Sequence, residues 1–134
     1  MAGYSGTPLP NKLGLPSSGR AAIVNAPRGF LKLLGRWPPG LQRFASLSAP
    51  LDYAHVFVTQ RAVLEQMFVA ARDALRKDGL LWVSWPKKSS GKQTDVTETQ
   101  VREIGLGAGL VDVKICAVDE TWSGLKFVYR LKDR

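Results

Sequence analysis

Along the chain, short runs of apolar residues alternate with stretches in which apolar positions recur every three or four residues, and this alternation predicts the elements in order. Ala21-Ala22-Ile23-Val24-Asn25 is an apolar run bounded by Arg20 and Pro27, the form of a strand covered on both faces of a parallel sheet. Gly29–Gly35 offers at most two helical turns before Pro38-Pro39, and Leu41–Leu47 alternates well enough for a second, peripheral strand. His55-Val56-Phe57-Val58 reads as the next buried strand, with Thr59 placed to cap the following helix. Within Arg61–Lys77 the positions Leu64, Met67, Phe68, Ala71, Ala74 and Leu75 make one apolar face, and Asp78-Gly79 is expected to end that helix with Gly79 in the left-handed conformation. Leu80–Trp85 is then a third buried strand. After a loop over Pro86–Thr94, Thr97 and Gln100 form a capping-box signature for a helix reaching to about Gly109. Val111–Val118 and Leu125–Leu131, joined by a short polar turn, must pair antiparallel.

Strands alternating with helices give right-handed parallel crossovers, so the expected architecture is α/β: an open, mostly parallel Rossmann-like sheet with an antiparallel hairpin at its carboxyl end. The division is an amino-terminal arm, residues 1–20, and one α/β domain, residues 21–134. The arm, with four glycines and three prolines, reads as extended, with Tyr4, Leu9, Leu13 and Leu15 as candidate anchors on the domain surface.

Tyr53–Arg130 resembles the class I methyltransferases, notably in Ala54-His55-Val56-Phe57-Val58 before a helix and in Ala74-Leu75-Arg76-Lys77-Asp78-Gly79-Leu80-Leu81-Trp82-Val83. The resemblance implies a shortened form of that S-adenosylmethionine-dependent fold. The glycine-rich turn by which those enzymes hold their cofactor is absent, since the corresponding turn is Asn25-Ala26-Pro27-Arg28-Gly29, and Leu47 is followed by Ser48-Ala49-Pro50 instead of an acidic residue. The whole chain also resembles a set of short bacterial proteins grouped as a domain of unknown function, through Ala2–Leu9, Trp85–Gly91 and Val118–Lys126. That second resemblance implies no activity.

Composition narrows the chemistry. Cys116 and His55 are each the only residue of their type, and both sit inside apolar strand patterns, which points to packing roles and excludes a disulfide framework or a multi-cysteine metal cluster supplied by one chain. No stretch of about 18 apolar residues predicts a membrane span and the first residues do not form a secretory signal, so a cytoplasmic protein is expected. The net charge of +8 is uneven: residues 1–51 carry Lys12, Arg20, Arg28, Lys32, Arg36 and Arg43 without one Asp or Glu. Such a bias attracts anionic partners, but it lacks the aromatic interleaving of a base-stacking platform, so sequence-specific nucleic-acid recognition is not expected.

Ligands of open α/β sheets bind beyond the carboxyl ends of the strands. There the pattern gathers Asn25, the loop residues Lys87, Lys88, Ser89, Ser90, Lys92 and Thr94, and the turn residues Asp119, Glu120 and Trp122. Three ammonium groups, two hydroxyls and Gly91 suit phosphate or carboxylate. Asp119 and Glu120 are placed to pair with Lys87 or Lys88, and Trp122 in a polar turn calls for a cover. The expectation is non-catalytic binding of a small anionic ligand or an acidic partner at this edge, without a metal or an assigned cofactor. The alternatives are a degenerate methyltransferase-like enzyme and an interaction module that dimerises through a peripheral strand or the arm.

Overall fold

The structure, a computed structural model, describes residues 7–134; the candidate anchor Tyr4 lies outside the described residues. The chain runs α1 (Leu9–Leu13), β1 (Ser18–Val24), α2 (Phe30–Leu34), β2 (Gly40–Phe44), β3 (Leu51–Phe57), α3 (Arg61–Ala74), β4 (Leu75–Pro86), α4 (Glu98–Gly107), β5 (Leu110–Ala117) and β6 (Trp122–Tyr129), with short 3-10 turns at Lys88–Ser90 and Leu131–Asp133. The strands form a sheet in the order β2-β1-β3-β4-β6-β5. β1 pairs parallel with both β2 and β3, and β3 parallel with β4, whereas β6 runs antiparallel to β4 and to β5. The fold is therefore the expected mixed α/β sheet, mostly parallel, closed by an antiparallel hairpin.

Period-two alternation sends one set of strand residues to each face. Ala22, Val24, Ala54, Val56, Leu81, Val83, Leu125 and Phe127 pack with Leu64, Phe68 and Ala71 of α3 and Val101 of α4. Ala21, Ile23, Tyr53, Phe57, Trp82 and Trp122 pack with Leu9 and Leu13 of α1 and Phe30 and Leu34 of α2. Helices thus cover both faces. His55 belongs to the second face and is fully buried, with Nε2 2.7 Å from Ser84 Oγ and Nδ1 3.3 Å from the Tyr53 hydroxyl. Burial pushes its pKa from 6.5 down to about 3. Cys116 is half-buried, and burial raises its thiol pKa. These surroundings agree with packing roles for both residues.

Three local expectations are corrected. Part of the arm is a helix: α1 has Pro10 in its first turn and ends on Gly14 at φ 68, and it is held down by the buried Leu9 and Leu13 and by Trp82 Nε1 donating to the Leu13 carbonyl at 2.6 Å. α3 ends at Ala74 and not at Gly79, which lies within β4. A Cβ on Gly79 would come 3.0 Å from the Asp52 carbonyl oxygen, at the irregularity where Leu51 pairs with Leu75 but Tyr53 with Leu80. Close approach, not a left-handed turn, requires glycine there. Finally, Thr59 does not cap α3. The N-cap is Gln60 without a side-chain bond, and the Arg61 N–H donates to Asp95 Oδ1 at 2.7 Å.

Candidate functional site at the carboxyl rim

β1 leads outward to β2 on one side while β3 and β4 continue on the other, so the connections diverge between β1 and β3. In open α/β sheets that divergence leaves a crevice above the strand ends. A cleft of about 490 Å³ lies there, lined by Asn25, Pro27 and Arg28 after β1, Phe57–Gln60 at the end of β3, Val63 of α3, Lys92 and Trp122. Three loops that are remote in sequence contribute to it, together with α3 and the first residue of β6. Its floor is apolar: the Phe57 and Trp122 rings meet edge to face, with centroids 5.3 Å apart and planes at 83°. Its exposed cations are Arg28 and Lys92, and no carboxylate is among the lining residues.

The turn that presents Arg28 follows from its sequence. Asn25 adopts φ 59, a left-handed conformation that asparagine tolerates better than most residues, and it turns the chain off the end of β1. Gly29 at φ 88 then starts α2, whose Phe30 plugs into the sheet against His55 and Phe57 at 5.2 and 4.8 Å. Arg28 is left on the surface between these two fixed points.

The expected lysine loop is divided by its own hydrogen bonds. Lys87 N–H donates to the Thr121 carbonyl at 2.7 Å, next to the Pro86–Trp122 pair of the β4–β6 ladder. Lysine loop and tryptophan turn are therefore neighbours on one rim. Beyond Lys87 the chain enters the 3-10 turn, where Ser90 Oγ donates to the Lys87 carbonyl at 2.6 Å and accepts from Lys92 N–H at 3.2 Å, and Gly91 at φ 75 reverses direction. Lys92 is thereby turned toward the β1–β3 cleft. Lys87 and Lys88 instead line a second cleft of about 440 Å³ with Thr94, Asp95, Thr97 and Glu98 at the start of α4. Thr94 Oγ1 donates to the Thr59 carbonyl at 2.8 Å and accepts from Val96 N–H at 3.0 Å, so its hydroxyl serves the loop. Thr97 accepts from Gln100 N–H while Gln100 Oε1 accepts from Thr97 N–H, the capping box read from the sequence. Ser89 is exposed and lines neither cleft.

The acidic turn differs from expectation. Among the described residues no ion pair joins Asp119 or Glu120 to Lys87 or Lys88. Asp119 Oδ1 instead accepts from the N–H groups of Thr121 and Trp122, at 2.8 and 2.7 Å, closing the hairpin turn. Asp119 and Glu120 border another depression, with Arg28, Phe30 and Leu33. Trp122 needs no external cover, being only 6 % exposed and packed in the core with Phe57. Of the ten expected residues, Asn25, Lys92 and Trp122 share the β1–β3 cleft. Arg28, Phe57, Gln60 and Val63 were not expected in it. The signal for Arg28 lay in the turn that replaces the glycine-rich motif.

Comparison with solved structures gives methyltransferases. The chain superposes on magnesium protoporphyrin IX methyltransferase from Synechocystis PCC 6803 with a TM-score of 0.61 at 10% identity, covering 90% of this chain and 78% of that one. Ribosomal protein L11 methylase from Lactobacillus delbrueckii gives 0.59 at 12% identity, over 91% and 75%. The calicheamicin-biosynthesis methyltransferase CalO1 gives 0.60 at 16%, but the chain spans only 52% of it. At such identities the likeness shows the class I methyltransferase-like fold alone. No curated protein matches by sequence. The family model described as a protein of unknown function, DUF3052, matches residues 57–131, more than half of the chain, and the chain therefore belongs to the DUF3052 family.

Proposed function

We propose that the protein binds a small organic anion in the cleft between the carboxyl ends of β1 and β3, with Arg28 and Lys92 receiving its carboxylate or phosphate and the Phe57–Trp122 floor receiving an apolar body. The observation that carries this reading is the charge of the cleft: two exposed cations from separate loops with no carboxylate among the lining residues. Cations beside an apolar floor favour a ligand with an anionic head, and the Asn25 and Gln60 amides add hydrogen-bonding groups at the rim. Among the described lining residues no nucleophile stands beside a base, and the reading is one of binding.

S-adenosylmethionine, which the fold implies, is not fitted by these residues. After β2 the chain continues Ala45-Ser46-Leu47-Ser48, which supplies no carboxylate for ribose hydroxyls. Gly29 is the one glycine of the turn after β1, and a Cβ there would meet nothing within 4 Å, so the glycine marks no tight backbone cradle.

The test is thermal denaturation against a panel of phosphorylated metabolites, nucleotides and aromatic carboxylates, with calorimetry for S-adenosylmethionine. The reading expects a melting shift with at least one anion that Lys92→Ala removes. Flat melting curves across the panel, or heat of binding from S-adenosylmethionine alone, would overturn it.

A further inference from the structure

A second surface lies on the other side of β1. A groove of about 290 Å³ is lined by Ile23, Ala26, Leu31, Arg43, Phe44 and Ala45. Leu31, 38 % exposed, forms the open apolar wall of this groove. β2 is the outermost strand, paired only with β1, so its outer main-chain groups have no ladder among the described residues. Lys32 and Arg36, on α2 and just after it, are exposed and take no part in an ion pair among the described residues. No acidic residue occurs anywhere in residues 1–51, so the surface built from α2 and β2 contains no carboxylate of its own.

We infer that this groove docks an acidic peptide segment of a protein partner, which seats one apolar side chain against Leu31 and Ile23 and lays its carboxylates toward Lys32, Arg36 and Arg43. Charge selects that occupant. A second copy would bring a chain of net charge +8 against the same basic surface. Single-stranded nucleic acid would need open aromatic faces, but the Arg20 guanidinium sits 4.3 Å over the Phe44 ring and that of Arg43 5.6 Å over Trp37. An anionic membrane would draw on Leu33 as well, and Leu33 borders the depression that holds Asp119 and Glu120. An extended segment also finds hydrogen-bonding partners along the β2 edge.

The experiment is fluorescence anisotropy at low ionic strength with a labelled nine-residue peptide of Asp and Glu carrying one central leucine. The same peptide with a central serine, a labelled oligothymidylate of equal charge and phosphatidylglycerol vesicles serve as rivals. The leucine peptide is expected to bind about tenfold more tightly than the serine peptide, from the burial of one aliphatic side chain. Leu31→Ser should erase that difference. Lys32→Glu and Arg43→Gln should each weaken binding of both peptides severalfold, and Lys92→Ala should change neither, which separates this surface from the β1–β3 cleft. Circular dichroism checks that each variant folds. Equal affinity for the two peptides, no peptide binding, or tighter binding of oligothymidylate or vesicles would overturn the inference. So would light scattering that shows a dimer dissociated by Lys32→Glu.

Discussion

The β1–β3 cleft and the β4–α4 cleft occupy the same rim and both contain lysine, yet they differ electrostatically. The first is lined by Arg28 and Lys92 and by no carboxylate, although Arg28 also borders the depression that holds Asp119 and Glu120. In the second, Lys87 and Lys88 face Asp95, which caps α3 through the Arg61 N–H, and Glu98, which pairs with Arg102 at 3.1 Å. A count of charges within one loop therefore says little about a site. What matters is which charges share a cleft, and that is settled by the Ser90 hydrogen bonds and the Gly91 reversal that part Lys92 from Lys87.

Trp122 of the first cleft and Ser123 of the second are neighbours at the start of β6, and Trp122→Ala is the change with the largest expected effect. Removing a buried ring of this size should cost about 3–5 kcal/mol, read as a drop in the urea midpoint, whereas Trp122→Phe should retain most of the stability. Next in size is acid sensitivity beneath the first cleft. His55 takes a proton below 6.5 in the unfolded chain but only near 3 when folded, so stability is full above about pH 6.5 and declines as the pH falls toward 3. The expected loss is about 2.5 kcal/mol at about pH 4.5, and His55→Gln should flatten the pH profile of the urea midpoint. Asp119→Ala strips the hairpin turn of two hydrogen bonds and should cost about 1–2 kcal/mol, read as a drop in the urea midpoint. Thr97→Ala, acting only at the second cleft, should cost about 1 kcal/mol by loss of the capping box, and anion binding at the first should persist. Lys87→Ala with Lys88→Ala should shift stability by less than about 0.5 kcal/mol, since neither lysine forms an ion pair among the described residues.

The architecture was legible because its signals are local. Apolar runs marked β1, β3 and β4, and Thr97 with Gln100 marked the start of α4 to the residue. Gly79 misled because a glycine needed for close approach to the Asp52 carbonyl looks, in sequence, like one needed to end a helix. α1 was hidden by its length, five residues in a stretch rich in proline and glycine, although Leu9 and Leu13 one turn apart and Gly14 after them carry its pattern. The rim was legible as a place, since Asn25, Lys92 and Trp122 do converge. Its partition was not, because Ser90 bonding back to Lys87 and Asp119 folding onto its own turn are choices made in three dimensions.

The proposed anion binding is assigned to the β1–β3 cleft. The most direct test titrates the anion giving the largest melting shift into three proteins by calorimetry: the wild type, the Arg28→Ala and Lys92→Ala double variant, and the Lys87→Ala and Lys88→Ala double variant. Loss of binding in the first double variant with affinity retained within about threefold in the second is the predicted result. Binding that survives without Arg28 and Lys92, or that disappears without Lys87 and Lys88, would contradict it.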